Sequence, residues 1–246
     1  MATFRGASSE ITDIAINLEN TLLAAGSIDR ILRIWDLQTG TPVAVLTGHT
    51  GMITSVNFCP SPSWNFQYLI TTSTDGSVAF WAYSYDSGGK VNFRAKPTMY
   101  QEKMRPGQAQ MICSSFSPGG TFLATGSADH HVRVYYMKGD EGPHRILETE
   151  AHNDRVDSIQ WAHEGLRFMS GSKDGTAIIW SFESQQWKTM YLHMTTATAG
   201  AKASTSNAKK PAEESKKLKV GYLIYAFKID NHHKCHYYIQ NKRQNK

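Results

Sequence analysis

Four short segments of this chain repeat one pattern. Ser27-Ile28-Asp29, Ser73-Thr74-Asp75, Ser127-Ala128-Asp129 and Ser172-Lys173-Asp174 each place a serine two residues before an aspartate. Six residues after each aspartate stands an aromatic: Trp35, Trp81, Tyr135 and Trp180. The aspartates lie 46, 54 and 45 residues apart. A fixed period of this size means one supersecondary unit stacked several times, because a single unit cannot bury its own apolar face. The flanks identify the unit. In Leu32-Arg33-Ile34-Trp35 and Val132-Arg133-Val134-Tyr135, apolar and polar residues alternate with the period of a half-buried strand. Asp75-Gly76 and Asp174-Gly175 supply hairpin turns. The pattern predicts four strands per unit. They are 11–17, 21–27, 31–37 and 42–48 in the first unit, and 53–59, 68–74, 77–83 and roughly 91–99 in the second. The third has 111–117, 122–128, 131–137 and 144–150, and the fourth has 156–162, 167–173, 176–182 and 187–194. The wide middle spacing reflects an insertion, Ser84 to Gly107, rich in Gly, Lys and Tyr.

A period in the mid-forties with four strands per unit resembles the WD repeat, whose units form the blades of a β-propeller. The expected fold class is therefore all-β: a WD-repeat propeller of about four four-stranded blades. Four is the low end of the range in which propellers close, and the expected ring is incomplete or open. Ala2 to Gly6 reads as the outer strand of a blade whose other strands are missing, and 218–227 as the first strand of a fifth blade. An open ring leaves unpaired edges and exposed apolar surface. Three readings stand side by side: the chain is a fragment or truncated product; Ala2 to Gly6 pairs with 187–194 or with the tail and closes a compact ring; or two copies associate through their open edges.

Two units add a histidine before their first strand, in Gly48-His49 and Ala151-His152. His49, Ser73 and Asp75, or His152, Ser172 and Asp174, invite comparison with a hydrolytic triad. A triad occurs once, in a pocket beside an oxyanion hole. Here the set recurs, always with Trp added, which points to a structural task performed once per blade. The expected staple runs from Asp to His, from His to the Ser hydroxyl, and from Ser to the Trp indole, so that buried polar atoms satisfy one another. Unit one keeps Ser27, Asp29 and Trp35 without a His. Unit three keeps Ser127, Asp129 and Tyr135 without a clear His, and its staple is expected to be incomplete and its blade the softest. No nucleophile–base pair stands outside these sets. No catalytic residue, cofactor or metal is therefore assigned, and the expected role is non-enzymatic.

Several strings are longer than the general repeat pattern: Gln110-Met111-Ile112-Cys113-Ser114-Ser115-Phe116-Ser117, Phe122-Leu123-Ala124-Thr125-Gly126-Ser127, Arg155-Val156-Asp157-Ser158-Ile159-Gln160 and Ser170-Gly171-Ser172-Lys173-Asp174-Gly175-Thr176-Ala177. They resemble the bromodomain and WD-repeat protein family over residues 2–194. The resemblance implies an N-terminal propeller followed, in full-length members, by bromodomains that read acetyl-lysine. It implies nuclear, chromatin-associated proteins that influence transcription, cell shape and cytoskeletal organisation. It also implies, for some members, service as substrate receptors of cullin-RING ubiquitin ligases. No bromodomain is present here. Ligase docking through Trp-Asp-x-Arg finds only Trp35-Asp36-Leu37-Gln38, with Gln38 in place of Arg.

Composition sets the remaining expectations. Hydrophobic residues make up 40% of the 246 and aromatics 11%, enough for a sizeable core. The net charge of +5 is unevenly placed: residues 1–194 are slightly acidic and the basic surplus lies beyond them. The blades thus have no basic surplus to attract nucleic acid. No segment is apolar for long enough to span a membrane. Cys59, Cys113 and Cys235 are an odd number without paired spacing, as in a reducing compartment. Residues 1–194 are assigned to the propeller, 195–219 to a Lys/Ala/Ser/Thr linker and 220–246 to a basic His/Tyr-rich tail. His232, His233, Cys235 and His236 cluster in that tail, without the two separated ligand pairs of a structural zinc site. Propellers bind partners on the loops that enter the first strands and join the middle strands. Arg30, Met52, His130, Arg155 and Lys173 stand there, suited to recognition of a protein segment. The expected partners are proteins, chromatin- or histone-associated, in the nucleus or alternatively the cytoplasm.

Overall fold

The computed structural model describes residues 4–61, 66–104, 107–137, 141–183 and 186–193. The chain divides into two compact units, Met1–Leu192 and His193–Lys246. The blades make up the first unit, and its last strand ends at the boundary. The tail cluster His232, His233, Cys235 and His236, the linker and the stretch 218–227 lie outside the described residues.

The alternating segments form antiparallel strands throughout. Blade 1 is β1 (Ile11–Ile16), β2 (Leu22–Ser27), β3 (Ile31–Asp36) and β4 (Pro42–Thr47). Blade 2 is β5 (Ile53–Phe58), β6 (Gln67–Ser73) and β7 (Ser77–Tyr85), followed by two short strands, β8 (Val91–Phe93) and β9 (Thr98–Gln101). Blade 3 is β10 (Met111–Phe116), β11 (Phe122–Ser127), β12 (His131–Met137) and β13 (Pro143–Glu150). Blade 4 is β14 (Val156–Trp161), β15 (Arg167–Ser172), β16 (Thr176–Glu183) and β17 (Gln186–His193). The single outer strand expected in blade 2 is split. Tyr83–Tyr85 of the long strand β7 pairs with β8, and Ser77–Phe80 pairs with β9. The inserted residues fold back on themselves between the two.

The hairpin between second and third strands has three loop residues, not two. In blades 1, 2 and 4 the amides of Arg30, Gly76 and Gly175 donate to the carbonyls of Ser27, Ser73 and Ser172 at 3.1, 3.1 and 3.2 Å. The last loop residue is left-handed in every blade, with φ of 70° at Arg30, 82° at Gly76, 72° at His130 and 79° at Gly175. This is the type I turn closed by a left-handed residue that hairpins of this length favour. The preceding aspartate caps it: Asp29, Asp75 and Asp174 accept from the amides of Ile31, Ser77 and Thr176 at 3.0, 2.9 and 2.8 Å. The recurring Ser-x-Asp is thus the sequence of one turn.

The core lies between blades. Leu22, Ala24, Leu32 and Ile34 of blade 1 pack on Ile53, Val56, Leu69 and Trp81 of blade 2. Ile70, Val78 and Phe80 of blade 2 pack on Leu123 and Tyr135 of blade 3. Val132 and Val134 of blade 3 pack on Val156, Phe168 and Trp180 of blade 4. The four sheets form an open propeller of four blades. Phe4 to Gly6 forms no strand, which corrects the expected outer strand there. Phe4 instead meets the Trp35 ring edge-on at 6.2 Å, and the Arg5 carbonyl accepts from the Trp35 indole at 3.2 Å. The segment shields Trp35 on a face against which none of the described blades packs. The described residues include no helix long and apolar enough to cross a membrane.

Candidate functional site

In blades 2 and 4 the buried polar groups form a relay with one direction. The Trp81 indole donates to Thr71 Oγ1 at 3.0 Å, and Thr71 Oγ1 lies 2.6 Å from His49 Nε2. His49 Nδ1 lies 2.9 Å from Ser77 Oγ, which donates to Asp75 Oδ1 at 2.5 Å. Since Ser77 spends its one proton on the carboxylate, His49 Nδ1 must be the donor and Nε2 the acceptor from Thr71. Blade 4 repeats this: Trp180 donates to Ser170 at 2.9 Å, Ser170 lies 2.8 Å from His152 Nε2, His152 Nδ1 lies 2.9 Å from Thr176 Oγ1, and Thr176 donates to Asp174 at 2.6 Å. The second aspartate oxygen reaches the loop that precedes the first strand, accepting from the amides of Thr50 and Asn153 at 2.7 Å each. The relay therefore ties that loop to the hairpin turn.

The hydroxyl between His and Trp is Thr71 or Ser170, not Ser73 or Ser172. Ser73 and Ser172 accept instead from the amides of Asp75 and Asp174, at 3.2 and 3.1 Å. Register explains the two-residue difference. Thr71 pairs with Ala79 and Leu69 with Trp81, so the tryptophan side chain lies beside Thr71 and away from the turn. The second hydroxyl of each relay, Ser77 or Thr176, also escaped the sequence reading. It stands two residues after each aspartate, and an alignment of blades 2 and 4 alone shows it.

Blades 1 and 3 replace the histidine by an arginine four residues after the aspartate. Arg33 Nη2 meets Asp29 Oδ2 at 2.8 Å, and Ser8 donates to the same oxygen at 3.2 Å. In blade 3, Arg133 donates to Asp129 Oδ2 at 2.9 Å, to Ser127 at 2.7 Å and to Glu148 at 3.0 Å. The Tyr135 hydroxyl donates to Glu102 at 2.7 Å, and Arg145 also pairs with Glu102. The third staple is thus not incomplete, as the missing histidine suggested; it is built from different side chains. One loose end remains. Thr125 stands where Thr71 and Ser170 stand, but with neither a His nor a Trp to meet, its buried hydroxyl has no partner.

These networks are sealed. His49, His152, Thr71 and Ser170 are buried, and each hydroxyl is already engaged. Burial tends to raise the Asp75 carboxyl, but hydrogen bonds from His49, Ser77 and the Thr50 amide outweigh it and hold the group well below the usual carboxylate range. Asp174 is held at about 2 against the same opposing burial, by Thr176 and the Asn153 amide. Burial lowers His152 below the usual histidine value, opposed by Asp174. Burial pushes the thiols of Cys59 and Cys113 up to about 12, which leaves both unreactive near neutrality.

The stapled loops line one end of the blades. Four equivalent contacts fix the correspondence: the amides of Ile28, Thr74, Ala128 and Lys173 donate to the carbonyls of Glu10, Met52, Gln110 and Arg155 at 3.1, 3.0, 2.9 and 3.1 Å. Met52 and Arg155 therefore hold one position in different blades, Arg30 and His130 a second, and Lys173 a third. Met52, Arg30, Arg155 and Lys173 are exposed and His130 half-buried. Arg155 pairs with Asp157 at 2.6 Å, and His130 lies 3.8 Å from Glu150. The same correspondence adds Glu10, Ile28 and Gln110, all exposed and all missed from sequence. Beside Arg30 opens a cleft of about 250 Å³ lined by Asp29, Arg30, Ile31, Thr47 and His49. At the opposite end, Asp36 Oδ1 is taken up by the amides of Gln38 and Thr39 and by the Thr39 hydroxyl. The Trp-Asp pair there serves its own turn.

Comparison with known proteins agrees with this architecture. The family described as "WD domain, G-beta repeat" matches residues 1–36, 40–82, 103–135 and 144–181. Protein transport protein SEC13-2 of Candida glabrata is 29% identical over 193 residues, covering 70% of this chain and 60% of that protein. WD repeat-containing protein 1 of Mus musculus is 29% identical over 147 residues, 60% of this chain and 22% of that one. A bromodomain and WD repeat-containing protein of Dictyostelium discoideum is 23% identical over 236 residues, 73% of this chain and 10% of that one. The chain thus spans less than two thirds of the length of each of these relatives. Among solved structures, the computationally designed protein Ika8 superposes with a TM-score of 0.55 at 21% identity, over 73% of this chain and 48% of that one. The designed protein Ika4 superposes with 0.55 at 20%, over 73% and 95%. At these identities the likeness shows the fold alone.

Proposed function

This chain belongs to the WD domain, G-beta repeat family, and we propose that it is a non-enzymatic platform whose loop end seats a segment of a partner protein. One observation carries the reading: four hairpin turns, each locked by its own buried network, hold exposed Ile28, Arg30, Met52, Arg155 and Lys173 along one end beside a 250 Å³ cleft. Rigid turns fix side chains without further entropy cost on binding, and mixed apolar and basic groups suit an extended peptide. The His-Ser-Asp sets offer no alternative chemistry, because their hydroxyls face inward and are spoken for.

As the finer reading, we propose a nuclear, chromatin-associated role in transcription, cell shape and cytoskeletal organisation. It is supported by the four strings that resemble bromodomain and WD-repeat proteins and by the Dictyostelium relative. A cytoplasmic scaffold is the second reading, favoured by the relative named for protein transport. The ligase-receptor reading lacks its docking arginine, Gln38 standing in its place. Binding of the purified chain to histone octamers and to free histone tails tests the chromatin reading. Saturable binding that Arg30→Glu with Lys173→Glu reduces at least about tenfold, with unchanged melting, is the expected result. No binding to either probe removes the chromatin role. Binding that ignores both substitutions removes the loop end as the site.

A further inference from the structure

Each blade has a rear face, toward the preceding blade, and a forward face, toward the next. Two of the three junctions inside the chain, blade 1 with blade 2 and blade 3 with blade 4, show how the two fit. On the rear face, Ile53 and Val56 of β5, and Val156 and Ile159 of β14, project from the first strand and are buried against the blade before. On the forward face, a glycine of the second strand makes room. A Cβ at Gly26 would lie 2.8 Å from Val56 Cγ2, and one at Gly126 would lie 2.6 Å from Val156 Cγ1. At these two junctions a knob of β-branched side chains sits in a glycine-floored socket; between blades 2 and 3, Met111 and Ser114 take the knob positions and Thr72 the socket position.

Both halves of a fourth junction exist, and among the described residues no blade fills either; Phe4 and Arg5 alone reach the rear face, at Trp35. Strand register makes Ile11 equivalent to Ile53 and Val156, each paired with the serine of the Ser-x-Asp turn, and Ile14 equivalent to Val56 and Ile159. Ile11 is 40% exposed where Ile53 and Val156 are fully buried; Ile14 is 61% exposed where Val56 is at 2% and Ile159 at 8%. At the other end, Gly171 occupies the position of Gly26 and Gly126, yet an added Cβ would meet only Ser158 of its own blade. Met169 and Ile179 flank this socket, half-buried. Arg167, exposed, stands where Leu22 and Phe122 seal the junctions of blades 1 and 3.

We propose that the rear face of blade 1 docks on the forward face of blade 4 of a second copy of this chain. The occupant is named by the chain itself: among the described residues every covered rear face is covered by a forward face, and the forward face left open carries the socket glycine Gly171. Two such contacts, related by a two-fold axis, close a ring of eight blades and leave no open face, at the upper end of the propeller range. All eight stapled loop sets then share one end, so the dimer doubles the binding end without altering it. Arg167 makes the fourth junction less apolar than the other three, as befits a contact between separate chains.

The test uses the full chain with Cys235→Ser; the remaining thiols at 59 and 113 are half-buried or deeper and unreactive near neutrality. Sedimentation at about 1–100 μM is expected to show twice the 27.5 kDa chain mass. Ile14→Glu, at a position open to solvent in the single chain, is expected to weaken the dimer at least about a hundredfold with unchanged circular dichroism, since it places a carboxylate in an apolar socket. A second variant reads the geometry. Ser158 and Ile14 correspond to Ser55 and Ser114, whose hydroxyls lie 2.9 Å apart across the blade 2–blade 3 junction. Ser158→Cys with Ile14→Cys should therefore form disulfides between two chains on mild oxidation. A monomer at the highest concentration overturns the proposal. So does a dimer insensitive to Ile14→Glu, or a 14–158 disulfide formed within one chain.

Discussion

Thr71 accepts from the Trp81 indole and donates to His49, so its hydroxyl satisfies two buried groups at once. Removing it orphans both. Thr71→Val is expected to cost about 2–3 kcal/mol, whereas Ser73→Ala, which loses one weak contact to the Asp75 amide, is expected to cost about 1 kcal/mol. Urea denaturation of the two variants checks the order; a larger loss for Ser73→Ala would restore the serine as the bridge. Thr125 gives the opposite case. Its hydroxyl is buried without a partner, so the nearly isosteric Thr125→Val is expected to be neutral or to stabilise by up to about 1 kcal/mol. A loss above that range would show that the hydroxyl has a partner after all, such as a buried water. These residues explain each other. Where His and Trp are present the hydroxyl is used; where Arg and Tyr replace them it is left over.

Blade 3 is the element in which the sequence pattern and the folded contacts diverge most. With no histidine and a tyrosine for the tryptophan, it reads as the weakest sheet. In the fold, Arg133 is buried and joins Asp129, Ser127 and Glu148, while Tyr135 and Arg145 reach Glu102. Glu102 comes from the insertion after β9, a segment with no counterpart in the other blades. Arg133→Met is expected to cost about 3 kcal/mol or more, since it strands the Asp129 charge in the interior. Amide exchange offers a second check: Phe122–Ser127 should be as protected as Gln67–Ser73. Faster exchange confined to blade 3 would mean that the arginine network holds the blade less firmly than the histidine relay. The split outer strand of blade 2 has a similar origin, because β7 is long enough to carry two partners end to end.

For the whole propeller, the networks make stability depend on pH in a defined direction. Asp75, Asp129 and Asp174 all titrate below their ordinary value in the fold, so their contribution is complete above about pH 4. It is lost as pH falls through the folded values, for Asp174 near 2. His152 is lowered, so the unfolded chain takes up a proton more readily below about pH 6.5 and stability declines gently there. Thermal melting is expected to be level above about pH 7, to slope between 6 and 4, and to fall steeply below 4. Asp174→Asn should flatten the acid limb. An unchanged limb in that variant would place the acid sensitivity elsewhere.

The sequence by itself determined the repeat, the four strands of blades 1, 3 and 4 and the place of the hairpin turn between each second and third strand. All three are local: alternation sets the strands, and a capped three-residue loop sets the turn. It also placed Arg30, Met52, His130, Arg155 and Lys173 on the loops of one end, since any residue at those offsets must lie there. Only the tertiary structure decided which hydroxyl joins His to Trp. Thr71 and Ser73 lie on the same face of one strand, so alternation cannot separate them, and the choice follows from where the tryptophan side chain falls in the paired strand. Only the fold showed that Arg33 and Arg133 take the place of histidine, because the two solutions fill the same space from different strands. The unfilled knob at Ile11 and Ile14 and the unfilled socket at Gly171 were likewise invisible in one dimension. An exposed and a buried isoleucine read alike until the neighbouring blade is known to be present or absent.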